Sequence, residues 1–237
     1  MNLKSAFRFP IYFMHEILGI FGIYVTRTKK YAFQELGFIL FENIVKSSDS
    51  GVLHIGAHVG QEAQFYDSAQ TNVIWVEAIP QIYTQLKRNI DKYHNQKAYN
   101  FLLGKKNQSQ VKFFVSSNQA VSSSIYRLGN SHGWTGVEMT SEITLKMFRL
   151  DKVFTINKLK NYQNWVIDVQ GAELEVLLGA GKLLNLCNSL LIEVSTRETY
   201  KNGTAYINLR NFLVKKGLIP LWEPLDNSHE NLLFVRI

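Results

Sequence analysis

A chain of 237 residues that is 46% hydrophobic and 19% charged is long enough for one domain with a sizeable core and too apolar for a disordered segment. The net charge of +7 comes from basic residues dispersed in short groups such as Arg27/Lys29/Lys30, Lys87/Arg88 and Lys215/Lys216. With no long basic arm and no aromatic-basic RNA motif, it argues for a solvated basic surface and against a nucleic-acid partner. The single cysteine, Cys187, excludes an internal disulfide and a cysteine-based zinc site and suits a reducing compartment, the cytoplasm.

The chain opens on an apolar segment, Phe7 to Val25, that Pro10 can start as a helix. Ile11, Met14, Leu18, Phe21 and Val25 share one face of it. His15 and Glu16 interrupt the segment, which is too short to span a bilayer, and no A-x-A cleavage pattern follows. Two readings stay open. Either the helix packs on the domain or on a second subunit, as in a homodimer, or it lies on a membrane surface with help from Arg27, Lys29 and Lys30. A second apolar run, Phe33 to Val45, is expected to form another helix against the first. Residues 1–48 thus read as a helical extension and 49–237 as the main domain.

Gly51 to Gln61, GVLHIGAHVGQ, reads as a buried strand, a glycine turn and a helix start. Glycine at 56 and 60 leaves the turn amides and the positive helix end free to face an anionic or electron-rich group. The G-x-x-x-G spacing is neither the G-x-G-x-x-G of dinucleotide sites nor a phosphate loop, which disfavours NAD and ATP. About twenty residues on, Val73 to Ala78 is a second buried strand ending in Glu77, placed to accept hydrogen bonds from a ribose diol. Together they point to a nucleoside cofactor.

Further strands are expected at 98–103, at Val111–Val115 paired by a hairpin across Lys105–Gln108, at Asn164–Gln170 and at Leu190–Ser195. Helices are expected at Tyr83–Ile90, from Gly171 to Gly179 and at Tyr206–Lys216. Leu218–Trp222 and Leu232–Ile237 close the sheet as an antiparallel hairpin. Residues 116–148, rich in Ser, Asn, Gly and Thr and holding Ser122–Ser124, His132 and Trp134, read as a binding loop or lid with substrate contacts. Because alternating strands and helices make a mainly parallel sheet, Glu77, Asp168 and Glu193 should converge at the carboxyl edge where ligands bind.

Six blocks, taken in order, resemble the FkbM family of S-adenosylmethionine-dependent methyltransferases. They are His54–Gly60, Val76–Pro80, Leu86–Asn89, Ser122–Ile125, Leu150–Asp151 and Ile167–Leu177. The resemblance covers about residues 50 to 195. It implies a class I, Rossmann-like methyltransferase fold, with a seven-stranded, mostly parallel sheet and a C-terminal antiparallel hairpin, here preceded by helices. It also implies O-methylation of hydroxyls on sugars or natural products. By the same resemblance Gly56, Ala57, His58 and Gly60 line the methionine end of the cofactor, Glu77 holds its ribose, and Leu102 and Leu103 lie near the adenine. His54 stands where the family commonly has an acid that helps hold the cofactor's ammonium group. His58 stands where it has Asn, and Val166 where it has Lys.

For the methyl-accepting hydroxyl, Asp168 is the first candidate for a base or orienting group, Glu193 the second and His132 the third. Asp168 can alternatively cap the helix that starts near Ala172, or hold a divalent cation with Glu193. Glu173 and Glu175 read as helix-dipole partners and surface charges. The expected acceptor is a small molecule or glycan such as a saccharide or polysaccharide precursor. An RNA or protein methyltransferase, or an inactive methyltransferase-fold binding protein, is the competing reading. The first lacks an N-P-P-[YF] stretch for positioning a planar nitrogen.

Overall fold

The computed structural model describes residues 29–129, 136–226 and 229–237. The segment Phe7–Val25 and His132 lie outside the described residues. The first element, α1 (Lys29–Ser47), precedes β1 (Val52–Ile55), α2 (Ala63–Ser68), β2 (Val73–Glu77), α3 (Pro80–Ile90) and β3 (Gln96–Asn100). Pro80 sits in the first turn of α3, where its fixed φ and missing N–H cost nothing, and Lys87 and Arg88 oppose the negative end of the same helix.

β1, VLHI, is buried along its whole length because both faces of the sheet are covered. Its alternate residues feed two cores. Leu53 and Ile55 join Ile74, Val76, Trp165 and Ile167 on one face, and Val52 joins Val73, Trp75, Val166 and Leu191 on the other. The second face is covered by Phe41 and Val45 of α1, Ala63 and Tyr66 of α2, and Leu86 and Ile90 of α3. α1, expected as a helix of the N-terminal extension, lies on the sheet. Gly37 comes so close that a β-carbon there would overlap the carbonyl oxygen of Asn231. Each large apolar side chain so buried contributes roughly 1.5–3 kcal/mol.

After β3 the chain runs through β4 (Leu102–Leu103), β5 (Gln108–Ser116) and β6 (Met139–Phe148). This region departs from the sequence reading. β5 does not pair back across Lys105–Gln108; it pairs antiparallel with β6, while β4 pairs parallel with β6, making a separate three-stranded sheet. The stretch read as one loop over 116–148 therefore ends in a ten-residue strand. Ile143, Leu145 and Met147 alternate there with exposed polar residues, a strand pattern passed over because the serine- and glycine-rich residues before it drew the whole stretch into one loop. The pairing is long-range, and local pattern is silent on it.

The remaining elements are α4 (Leu150–Val153), α5 (Ile156–Leu159), β7 (Asn164–Ile167), α6 (Glu173–Ala180), a 3-10 turn (Gly181–Leu186), β8 (Ser189–Ser195), α7 (Tyr206–Lys215), β9 (Leu218–Pro220) and β10 (His229–Arg236). The main sheet has the order β3-β2-β1-β7-β8-β10-β9. β3, β2, β1, β7 and β8 pair in parallel, and β10 runs antiparallel between β8 and β9. This is the seven-stranded class I arrangement with a terminal hairpin. The chain reverses direction across β1, so its strand ends diverge there, at β1, β2 and β7. Among the described residues no helix is long and apolar enough to cross a membrane.

Candidate active site

At the end of β2, Glu77 is 6% exposed and is held by the backbone. Its Oε2 accepts from the amide of His58 at 2.9 Å and its Oε1 from the amide of Ile79 at 2.8 Å. Burial pushes its pKa up to about 7 against the pull of these amides. Glu77, His58, Ile79, Leu102 and Leu103 line one cleft, which continues past Gly56 to Asp168 and Gln170. A carboxylate beside an apolar slot suits a ribose and an adenine. Asn100, whose Nδ2 donates to the carbonyls of Glu77 and Ala78, braces that turn.

The two glycines of the first motif have packing roles that the sequence reading did not give them. Gly56 has φ +85, and a β-carbon on it would overlap the carbonyl oxygen of Asp168, so it lets the ends of β1 and β7 close up. Gly60, at φ +75, packs on Leu86 of α3 and does not line the cleft. Ala57 is buried in the core, with its amide donating to the Val76 carbonyl. His54 also points away from the cleft: it is 4% exposed, stacks on Trp75 at 4.7 Å between ring centroids and lies 3.2 Å from the Tyr66 hydroxyl. Burial lowers its pKa. The even-numbered residues of β1 face α1–α3, which puts His54 in the core; the ammonium-holding role expected of this position has no counterpart in where the ring sits.

At the other end of the cleft, Asp168 follows β7 and Glu193 lies inside β8, two residues before its end. Gln170 joins them: its Nε2 donates to Asp168 Oδ1 at 2.6 Å and to Glu193 Oε2 at 2.9 Å. Glu193 Oε1 lies 2.6 Å from His229 Nε2 on β10. Asp168 lines the cleft and Glu193 sits behind it. Burial, then the charge of Glu193, raises the Asp168 pKa well above the usual carboxylate range. At His229 burial opposes the charged ring, but the hydrogen bond and charge of Glu193 outweigh it and raise the pKa. Asp168 is not the cap of α6. Ala172 holds the cap position with no side-chain bond, and Glu173, which is 3% exposed, accepts from the amides of Gly171 and Val169 in the preceding turn and so is no surface charge. Glu175 pairs with Lys105 at 2.9 Å.

The cleft is roofed by the strap 117–126 that follows β5. Its serines are structural. Ser122, Ser123 and Ser124 are all buried; Ser123 Oγ accepts from the Ser116 amide, and Ser124 Oγ donates to the Gln170 carbonyl at 2.7 Å. His58 Nε2 lies 2.9 Å from the Gln119 carbonyl, so it must donate there, and its Nδ1 then accepts from Gln61 Nε2 at 3.0 Å. The strap leaves about 70 Å³ of open cleft beneath it.

A glycine turn, a strand-end carboxylate, an apolar slot and a second carboxylate along one edge match the order of the sequence blocks. The family model for the methyltransferase FkbM domain matches residues 54–219. The chain belongs to the FkbM methyltransferase family. Its cofactor is S-adenosylmethionine. No curated protein matches the chain in sequence. Solved structures to which the chain is similar include Aeropyrum pernix fibrillarin with natively bound S-adenosyl-L-methionine, at 13% identity over 83% of this chain and 74% of that one, TM-score 0.45. Another is the magnesium protoporphyrin IX methyltransferase of Synechocystis PCC 6803, at 11% identity over 94% and 91%, TM-score 0.45. A third is an rRNA methylase from Streptococcus thermophilus, at 9% identity over 91% and 99%, TM-score 0.47.

Of the residues singled out from this FkbM sequence, the fold brings Gly56, His58, Glu77, Leu102, Leu103 and Asp168 to one cleft. Glu193 joins through Gln170, while His54, Ala57 and Gly60 stay in the framework. Sequence reasoning missed Gln170, Tyr200 and His229. Gln170 lay in a quoted block, and its polar side chain directly after a strand-end acid was a usable signal. His229 and Tyr200 come from segments with no motif.

Proposed function

We propose that the chain is an O-methyltransferase acting on a hydroxyl of a saccharide or polysaccharide precursor. The observation that carries this reading is Asp168, a carboxylate of raised pKa that faces the same cleft as Glu77. Methylating a hydroxyl forms a C–O bond and releases the hydroxyl proton, so a neighbouring base is needed; such a base contributes a factor of about 10² to 10⁴. S-adenosylmethionine, when bound, supplies an electrophilic methyl group on a sulfonium.

The residues present fit that cofactor. Glu77 would accept from the ribose diol, Leu102 and Leu103 would flank the adenine, and Gly56 and His58 would face the methionine end. Holding donor and acceptor in line can supply roughly 7–11 kcal/mol of the barrier. The proton leaving the acceptor oxygen passes to Asp168, whose burial, with the charge of Glu193 beside it, raises its pKa above the ordinary carboxylate range and makes the ionised carboxylate a stronger base. Pockets for drug-sized ligands run to roughly 300–1,000 Å³, so cofactor binding is expected to shift the strap over the narrow cleft and loosen the His58–Gln119 bond.

The test is a calorimetric titration with S-adenosylmethionine followed by transfer of a labelled methyl group to a panel of free and lipid-linked sugars. Cofactor binding with transfer to a sugar, abolished in Asp168→Asn, is the expected result. Transfer to RNA alone, with affinity falling steeply with salt, would overturn the saccharide reading.

A further inference from the structure

Gln170 occupies the centre of the carboxyl edge in a conformation that costs energy. It has φ +56 although it is not glycine, a state of order 1–3 kcal/mol that persists only where its surroundings impose it. It is 7% exposed, and its carbonyl and both ends of its carboxamide are engaged. Its carbonyl accepts from Ser124 of the strap. Its Oε1 accepts from the Tyr200 hydroxyl, which also lies 3.2 Å from the Ser122 carbonyl, and both hydrogens of Nε2 go to carboxylates. The reverse orientation of the amide would set a carbonyl oxygen against two acids. Tyr200 is itself fixed, because Gly171 packs on its ring and Gly203 on its β-carbon and carbonyl oxygen so closely that a β-carbon on either glycine would be crowded.

We propose that Gln170 is a positioning residue for methyl transfer: one carboxamide, oriented by Tyr200, supplies both N–H groups that hold Asp168 and Glu193 side by side, with Asp168 turned to the cleft. The role rests on the reading of Asp168 as base. Two carboxylates in a shielded edge repel, and without donors between them they hold a proton in common, which would leave Asp168 unable to take up another. Glu193 is balanced on its far side by His229. The other charged groups that act on Asp168 are Glu62 and Glu173, themselves acids; Arg197 acts on His229, and Tyr200 feels the charge of Glu193, Asp168 and Glu173. The carboxamide also ties the strap to the acids, since Ser122 and Ser124 reach it through Tyr200 and through its carbonyl.

The experiment is a carbon-13 NMR titration of the full chain labelled at the aspartate and glutamate carboxyl carbons. Signals are assigned through Asp168→Asn and Glu193→Gln. Gln170→Met keeps the side-chain length and removes both donors; the Asp168 midpoint is expected to rise by about one pH unit or more. Tyr200→Phe should move it in the same direction by less. A folded Gln170→Met protein with unmoved midpoints overturns the role. Should that variant not fold, Gln170→Glu keeps the shape and is expected to bind about one more proton than wild type at neutral pH; an unchanged proton count overturns the role equally. Calorimetry with S-adenosylmethionine separates the two levels. No binding by wild type sinks the methyl-transfer reading, whereas unmoved midpoints in a protein that binds the cofactor sink the positioning role alone.

Discussion

Glu77 and Asp168 both close buried strands on one edge of the same sheet, and they are held in different ways. Glu77 takes its hydrogen bonds from the backbone amides of His58 and Ile79, one from the β1 turn and one from two residues along its own chain. Asp168 takes its hydrogen bond from a side chain, Gln170, which is itself set by Tyr200 and shared with Glu193 on the next strand. Backbone donors follow from the turn and tolerate side-chain change. Side-chain donors can be removed one atom at a time, so the β7–β8 end should be the more sensitive to substitution and the β2 end the more robust.

The largest contrast is expected from the two acids themselves. Asp168→Asn should lower methyl transfer by about 10² to 10⁴ while leaving the calorimetric affinity for S-adenosylmethionine close to wild type. Equal loss of both would merge the two regions into one function. Gly56→Ala strikes the point where the regions meet: a β-carbon at φ +85 against the Asp168 carbonyl should cost several kcal/mol, of the order of an overpacked core site (about 1–3) plus the left-handed strain (about 1–2). Chemical denaturation checks this, with Gly136→Ala as control, since φ there is +75 but nothing lies within 4 Å.

Glu77→Ala should weaken S-adenosylmethionine by about 1.5–3 kcal/mol, the worth of charged hydrogen bonds, while leaving the Asp168 midpoint unmoved. The same carboxyl gives the two regions a common pH signature. Its folded pKa, about 7, lies above its value in an unfolded chain, so the folded state binds the extra proton between pH 4.5 and 7. Stability of the free protein is therefore greatest below that window and falls as pH rises through it, and Glu173, also near 7, acts in the same direction. Cofactor affinity should move oppositely, rising as Glu77 ionises. Melting and calorimetry across the window check the two slopes, and Glu77→Gln should flatten the second. The smallest effect belongs to the strap: Ser124→Ala removes one bond to Gln170 and should cost about 1 kcal/mol of stability.

The β2 site was legible because it is local and periodic. Val73–Glu77 is a continuous apolar run ending in an acid, and the glycine turn twenty residues earlier fixes what the acid meets. The β5–β6 arm was not legible as a sheet, because the partner of each strand is set by pairing across more than twenty residues, although Ile143, Leu145 and Met147 alternate within β6. His54 shows the limit within a single strand. Its neighbours in sequence place it beside the cofactor turn, but the period of two turns it to the opposite face, into an aromatic core of Tyr66 and Trp75.

By itself the amino-acid sequence determined the alternation of strands and helices, the parallel sheet with its C-terminal hairpin, and the acid that ends β2, since all of these rest on hydrophobic period and turn chemistry within short windows. Only the tertiary structure decided that Gln170 stands between Asp168 and Glu193, that His229 and Tyr200 complete the group, and that the serines of the strap are tied into internal hydrogen bonds. Those contacts join side chains from β7, β8, β10 and two loops, and a hydrogen bond between residues far apart in the chain leaves no periodicity to read. It exists only once the sheet has brought their strand ends to one edge.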